Sequence, residues 1–166
     1  MKTNQTLVLG IGNTLLSDEG AGIHVIHYLQ QQYPSLPNLT YVDGGTLSFT
    51  LASLIVETDH LIIIDAAELG TKPGTLRLYI DAAIDQFLNT TKRSAHTIGL
   101  TDLIDIARLT NSLPTKRAFI GIQPGKIEWG NQLSSQVNKA LPKAATYIIE
   151  LANLWNAPLN HTTFHK

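Results

Sequence analysis

The chain has no cysteine, few charged residues and no apolar run long enough to cross a bilayer. The absence of cysteine among 166 residues excludes disulfides, thiol nucleophiles, zinc fingers and cysteine-held iron–sulfur clusters. It also leaves no mark of an oxidising compartment. Charged residues make up only 15% of the chain, well below the usual quarter. Lysine plus arginine number 12 and aspartate plus glutamate 13, a net charge of −1. Nothing in that balance points to nucleic acid or an anionic membrane surface as partner. The longest apolar run, residues 61–67, is interrupted by Asp65 and is far too short to span a membrane. The apolar start Leu7-Val8-Leu9 is cut by Gly10, unlike a signal peptide. A soluble, cytoplasmic protein with no membrane insertion is the expectation.

What is present is a 43% hydrophobic chain whose apolar period changes repeatedly. Strand-like runs cover residues 6–11, 39–43, 60–65, 75–80 and 117–122. Helical spacing covers residues 18–33, with Ser17 or Asp18 as cap and Gly22, Val25, Ile26, Leu29 and Tyr33 on one face. Further helices are expected over residues 48–57, 97–111 and 134–155, the last with Val137, Leu141, Ala144, Ile148, Ala152 and Trp155 inward. Residues 81–92 read as a weak helix or an irregular loop, and 123–133 as a loop with Pro124, Gly125 and Gly130. The Leu61–Ile64 run is apolar on both faces, as in a central strand covered from both sides. The alternation predicts a single three-layer α/β domain over residues 1–158, a twisted, mostly parallel five-stranded sheet with helices on both faces. Residues 159–166 read as a frayed tail.

In such sheets ligands bind beyond the carboxyl ends of the strands. Asp18 and Glu19 follow the first strand, Asp43 ends the second and Asp65 the third, while His96 stands at a helix entrance. Glu19, Asp65 and His96 together would form a ligand set for zinc, nickel or a similar divalent ion. A helix N-terminus favours ionised Glu19 and disfavours protonated His96. The same residues also fit an ordinary structural role, with first-turn acids, a turn-forming Asp65 and a capping neighbour in His96. Gly10-Ile11-Gly12 resembles the start of a dinucleotide fingerprint, but Leu15 replaces its third glycine. No phosphate-loop or Gly-x-Ser-x-Gly pattern occurs. His24 and His27 lie at i, i+3, where a solvated or partly buried face is the ordinary reading and a metal pair the other. His60 reads as structural, His161 and His165 as tail residues, and Trp129 as either a contact residue or loop packing.

Several segments together resemble one family. These are residues 9–22 (LGIGNTLLSDEGAG), Asp43-Gly44-Gly45-Thr46, residues 59–66 (DHLIIIDA), Ser94-Ala95-His96 and Gly121-Ile122-Gln123-Pro124. In this order they are similar to the nickel–iron hydrogenase maturation endopeptidases, over nearly the whole chain up to the last helix. The resemblance implies a metal-dependent endopeptidase that removes a short C-terminal extension from the nickel-loaded precursor of the hydrogenase large subunit. It places metal ligands at Glu19, Asp65 and His96 and catalytic roles on Asp43, Glu19 and Asp65. Nickel would be supplied by the substrate or bound directly, and another divalent ion could substitute. Residues 81–92 match no family motif. The alternative is a non-catalytic metal- or nucleotide-binding module of the same doubly wound class.

Overall fold

A computed structural model describes residues 4–46, 49–90 and 95–157, with the side chains of 95–98 outside the description. Pro158 and the expected tail, residues 159–166, also lie outside it. The sheet contains β1 (Thr6–Gly10), β2 (Leu39–Asp43), β3 (His60–Ala66), β4 (Leu76–Ile80) and β5 (Lys116–Ile122). The helices are α1 (Ala21–Gln32), α2 (Thr50–Glu57), α3 (Ala82–Thr90), α4 (Ala95–Leu109) and α5 (Ser135–Asn156). The strands lie in the order β2-β1-β3-β5-β4. All pairings are parallel except β4 with β5, so the expected mostly parallel five-stranded sheet is what forms.

The two-residue strand period builds three layers. Leu7 and Leu9 of β1 and Leu61 and Ile63 of β3 face one way, against Leu51 and Ile55 of α2, Ile84 and Leu88 of α3, and Leu100, Leu103 and Ile104 of α4. Val8, Ile62 and Ile64 face the other way, against Val25, Ile26 and Leu29 of α1 and Val137, Leu141 and Ile148 of α5. Ile62, Ile63 and Ile64 are all fully buried, so β3 is apolar on both faces because both faces are covered. Truncating any of them to alanine costs about 2–5 kcal/mol.

Several boundaries differ from the sequence reading. Ser17 and Asp18 do not cap a helix. Ser17–Gly20 forms a 3₁₀ turn and α1 starts at Ala21 after Gly20 with no side-chain cap. The Asp18 carboxylate is instead spent on a distant loop, described below. Tyr33 falls past the end of α1 and is 39% exposed rather than inward. Residues 82–90 form a helix, because Ile84 and Leu88 share a buried face. His96 lies inside the first turn of α4, which begins at Ala95. Trp155 is only partly buried and stacks edge-on against His60 at 5.5 Å. His60 itself is buried at the start of β3, in keeping with a structural role.

One close approach sets the geometry of the carboxyl edge. A Cβ on Gly22 would collide with the carbonyl oxygens of Ile64 and Ile11. Only glycine lets the first turn of α1 lie this tightly across the ends of β1 and β3, and that turn directly follows Glu19.

Candidate active site

The strand register brings three sequence segments to one edge. Gly10 of β1 is level with Asp43 on β2 and with Ile64 on β3, so Asp43 and Asp65 flank the end of β1. With strands about 4.8 Å apart, their backbones are separated by roughly 10 Å. The turn Ser17–Gly20 carries Glu19 in the connection from β1 to α1. Helix α4 hands the chain to the start of β5, so its first turn, with the His96 backbone, lies toward this same carboxyl edge. Pleat alternation points Asp65 to the side of Leu61 and Ile63, the layer that contains α4.

Asp65 is the electrostatic anomaly of the edge. It is 7% exposed, and its Oδ1 has no hydrogen-bond partner among the described residues. Burial pushes its carboxyl well above the ordinary carboxylate range; the Ala66 amide pulls it back and the Glu19 charge pushes it further up. Glu19, partly buried, is therefore near enough to act on Asp65. A buried carboxylate facing a second carboxylate is costly unless a cation neutralises the pair. Among the described residues, no group of three His, Cys, Asp or Glu side chains is placed to hold a metal; the His96 side chain lies outside them.

Asp43 ends β2 at the same sheet edge, its side chain turned to the opposite face, toward α1. Its Oδ1 accepts the Gly45 N–H at 2.9 Å, and its Oδ2 lies 3.5 Å from His27 Nε2 with both side chains about half exposed. Gly45 has φ +53° with open space where a Cβ would stand, so the backbone after Asp43 is open to an approaching chain. His27 thus contacts a candidate site residue, which its spacing on α1 did not reveal. His24 is partly buried, with Nε2 unpartnered among the described residues. Its pKa is lowered by burial and the His27 charge, against a raising contribution from Asp18.

Two supports for the edge were not visible in the sequence. Asp18 is fully buried. Its Oδ2 accepts from the Gly125 and Lys126 amides at 2.9 and 2.8 Å and from Ser134 Oγ at 2.7 Å; its Oδ1 accepts the Ser134 N–H at 2.7 Å. Burial alone would raise its pKa, but these donors, Ser134 foremost, hold it below the ordinary value. Asp18 is thus a brace beneath Glu19. Gln123, buried after β5, accepts the Leu69 N–H at 2.7 Å and donates to Glu68 at 3.2 Å. It pins the segment that follows Asp65. The only local signal for either was a polar residue inside or beside an apolar stretch.

Known proteins share this sequence pattern and this fold. Residues 23–151 match the HycI family of hydrogenase maturation proteases. The hydrogenase expression/formation protein HoxM of Cupriavidus necator is 36% identical over 150 residues, covering 90% of this chain and 74% of that protein. The hydrogenase 2 maturation protease of Escherichia coli is 37% identical over 123 residues, 74% of each chain. Among solved structures, the hydrogenase maturating endopeptidase HybD of E. coli superposes with a TM-score of 0.85 at 31% identity, covering 92% of this chain and 94% of that one. The [NiFe] hydrogenase maturation protease HybD of Thermococcus kodakarensis gives 0.77 at 30% identity, covering 89% and 99%. With the family match spanning most of the domain and the same fold at this identity, the chain belongs to the hydrogenase maturation protease family.

Proposed function

We propose that the protein is an endopeptidase that removes a short C-terminal extension from the nickel-loaded precursor of a nickel–iron hydrogenase large subunit. The observation that carries the reading is the buried Asp65 carboxylate, its Oδ1 unpartnered among the described residues, beside Glu19 at the carboxyl edge of the sheet. A buried carboxylate with an unpartnered oxygen beside a second carboxylate fits a divalent cation. With the His96 imidazole they form a mixed oxygen and nitrogen donor set that suits nickel or zinc. In this reading nickel arrives as cargo of the substrate, and Glu19, Asp65 and His96 hold it when the precursor docks. A resident divalent ion on the same residues is the variant reading. A cation held there would supply Lewis-acid polarisation of the scissile carbonyl.

The remaining work belongs to side chains of this protein. Asp43 is open enough to take a proton from the attacking water. The Gly45 amide fixes one of its oxygens and His27 lies against the other, which orients the carboxylate. The open backbone at Gly45 admits an extended peptide segment beside Asp43.

Incubation with nickel-loaded precursor tests the proposal, with mass spectrometry of the products. The wild-type protein releases the C-terminal peptide and Asp65→Asn does not. A precursor that shifts in mobility but stays uncut makes the protein a binding module and overturns the enzymatic reading.

A further inference from the structure

The loop after β5 exposes apolar side chains on a braced backbone. Trp129 is 82% exposed and Ile127 59%, and Leu15 on the facing segment is 57% exposed. Loops that expose large apolar groups usually do so for want of structure; this one does not. Ser17 donates its N–H to Gly130 O at 2.7 Å, and Gly130 returns its own to Leu15 O at 2.9 Å. Asp18 donates its N–H to Lys126 O at 3.0 Å, and Ser17 Oγ donates to Glu128 O at 2.9 Å. The Asp18 carboxylate holds the Gly125 and Lys126 amides as well. The loop is thus stitched, residue against residue, to the turn that carries Glu19.

Three consequences follow from this construction. A rigid aromatic on a fixed backbone loses little entropy when it is covered, which is why such residues dominate binding energetics. The patch carries no net charge of its own, because Lys126 and Glu128 pair at 2.9 Å; its partner is recognised by apolar contact. And whatever covers Trp129 is held in register with Glu19 through Asp18, the residue next to it.

We infer that Leu15, Ile127 and Trp129 form a docking surface for an apolar patch on the folded body of the protein substrate, which sets the register of its C-terminal segment over Glu19 and Asp65. This rests on the endopeptidase reading above and names what that site recognises beyond the cleaved peptide. The size of the surface favours a transient substrate over a second copy of the chain. An aromatic buries at most about 250 Å² and Leu15 and Ile127 are smaller, so the three side chains fall well short of the roughly 800 Å² per partner of a stable interface.

The test is steady-state cleavage of nickel-loaded precursor by the wild-type protein, Trp129→Ala and Trp129→Phe, with sedimentation of each free protein. The expected result is a KM raised roughly tenfold or more by Trp129→Ala, the scale of truncating an interface hot spot. At saturating precursor its kcat stays unchanged, and Trp129→Phe recovers most of the loss. Melting temperatures stay equal because the side chain is exposed. Wild-type cleavage with an unchanged KM in Trp129→Ala overturns the docking inference alone. So does a lowered kcat at unchanged KM, or a wild-type dimer that the substitution dissolves. A wild-type protein that releases no peptide overturns the functional reading, and the docking inference with it.

Discussion

Ser134 donates both its backbone N–H and its hydroxyl to the carboxylate of Asp18, each at 2.7 Å, across 116 residues of sequence. The pair joins the turn that carries Glu19 to the N-cap of α5, since Ser134 Oγ also accepts the Val137 N–H at 3.5 Å. One buried carboxylate thereby fixes the loop after β5, the start of the last helix and the floor of the site.

Asp18→Ala leaves the donors of Gly125, Lys126 and Ser134 without their acceptor. A hydrogen bond to a charged group is worth about 1.5–3 kcal/mol, so the expected loss of stability is at least that large in urea unfolding. Because the folded-state pKa of Asp18 is lowered, its contribution is present above the unfolded value of about 3.9 and is lost as pH falls through and below it. The unfolding midpoints of the wild-type and Asp18→Ala proteins therefore converge toward acid. Parallel curves down to about pH 3, below the unfolded value, contradict the brace.

Asp65 has the opposite sign. Its folded pKa is raised, so the metal-free native state binds a proton more readily than the unfolded chain. Its destabilising effect grows as pH rises from about 4 toward the folded value. Asp65→Asn is expected to raise the Tm of the metal-free protein at neutral pH, by roughly 2–4 °C for each kcal/mol recovered in a domain of this size. The same variant loses cleavage. A lower Tm at neutral pH would mean that the carboxylate is satisfied in the folded state.

His24 titrates against folding. Burial and the neighbouring His27 lower its pKa, so the native state resists a proton that the unfolded chain accepts. Stability is full above the unfolded value of about 6.5 and falls as pH drops below it. Replacing His24 with Gln is expected to flatten this part of the stability–pH curve, read by thermal melts in steps from about pH 5 to about pH 7.5, across the unfolded value. An unchanged slope assigns the dependence to another group.

Asp43→Asn keeps the Gly45 hydrogen bond through its amide oxygen and removes the negative charge facing His27. Cleavage is expected to slow by about 10²–10⁴-fold, the usual scale of a lost general base, while nickel binding by calorimetry stays intact. His27→Ala, which removes a half-exposed contact worth less than about 1 kcal/mol, is expected to leave stability unchanged and slow cleavage modestly. Wild-type processing by the Asp43→Asn protein removes Asp43 from the mechanism.

The layers of the domain were legible in the sequence because they depend on local periods. The short apolar run of β1 and the all-apolar β3 announced a sheet covered on both faces, and the 3.6-residue spacing of α1 and α5 announced the covers. Gly44 and Gly45 after Asp43 marked a turn at the strand end. Asp65 at the end of an isoleucine run was conspicuous because a carboxylate is out of place there.

Other features could be decided only by the tertiary structure. Spacing suggested that Asp18 caps a helix, since the competition between a local cap and four distant donors is settled by where the loop after β5 comes to lie. The pairing of His27 with Asp43 depends on α1 crossing back over β2. The difference between Trp129 as packing and Trp129 as exposed contact depends on a backbone braced by Ser17 and Asp18. Sequence specifies interactions whose partners lie within a turn or a strand. Interactions across a hundred residues exist only once the sheet order has set which loops share an edge.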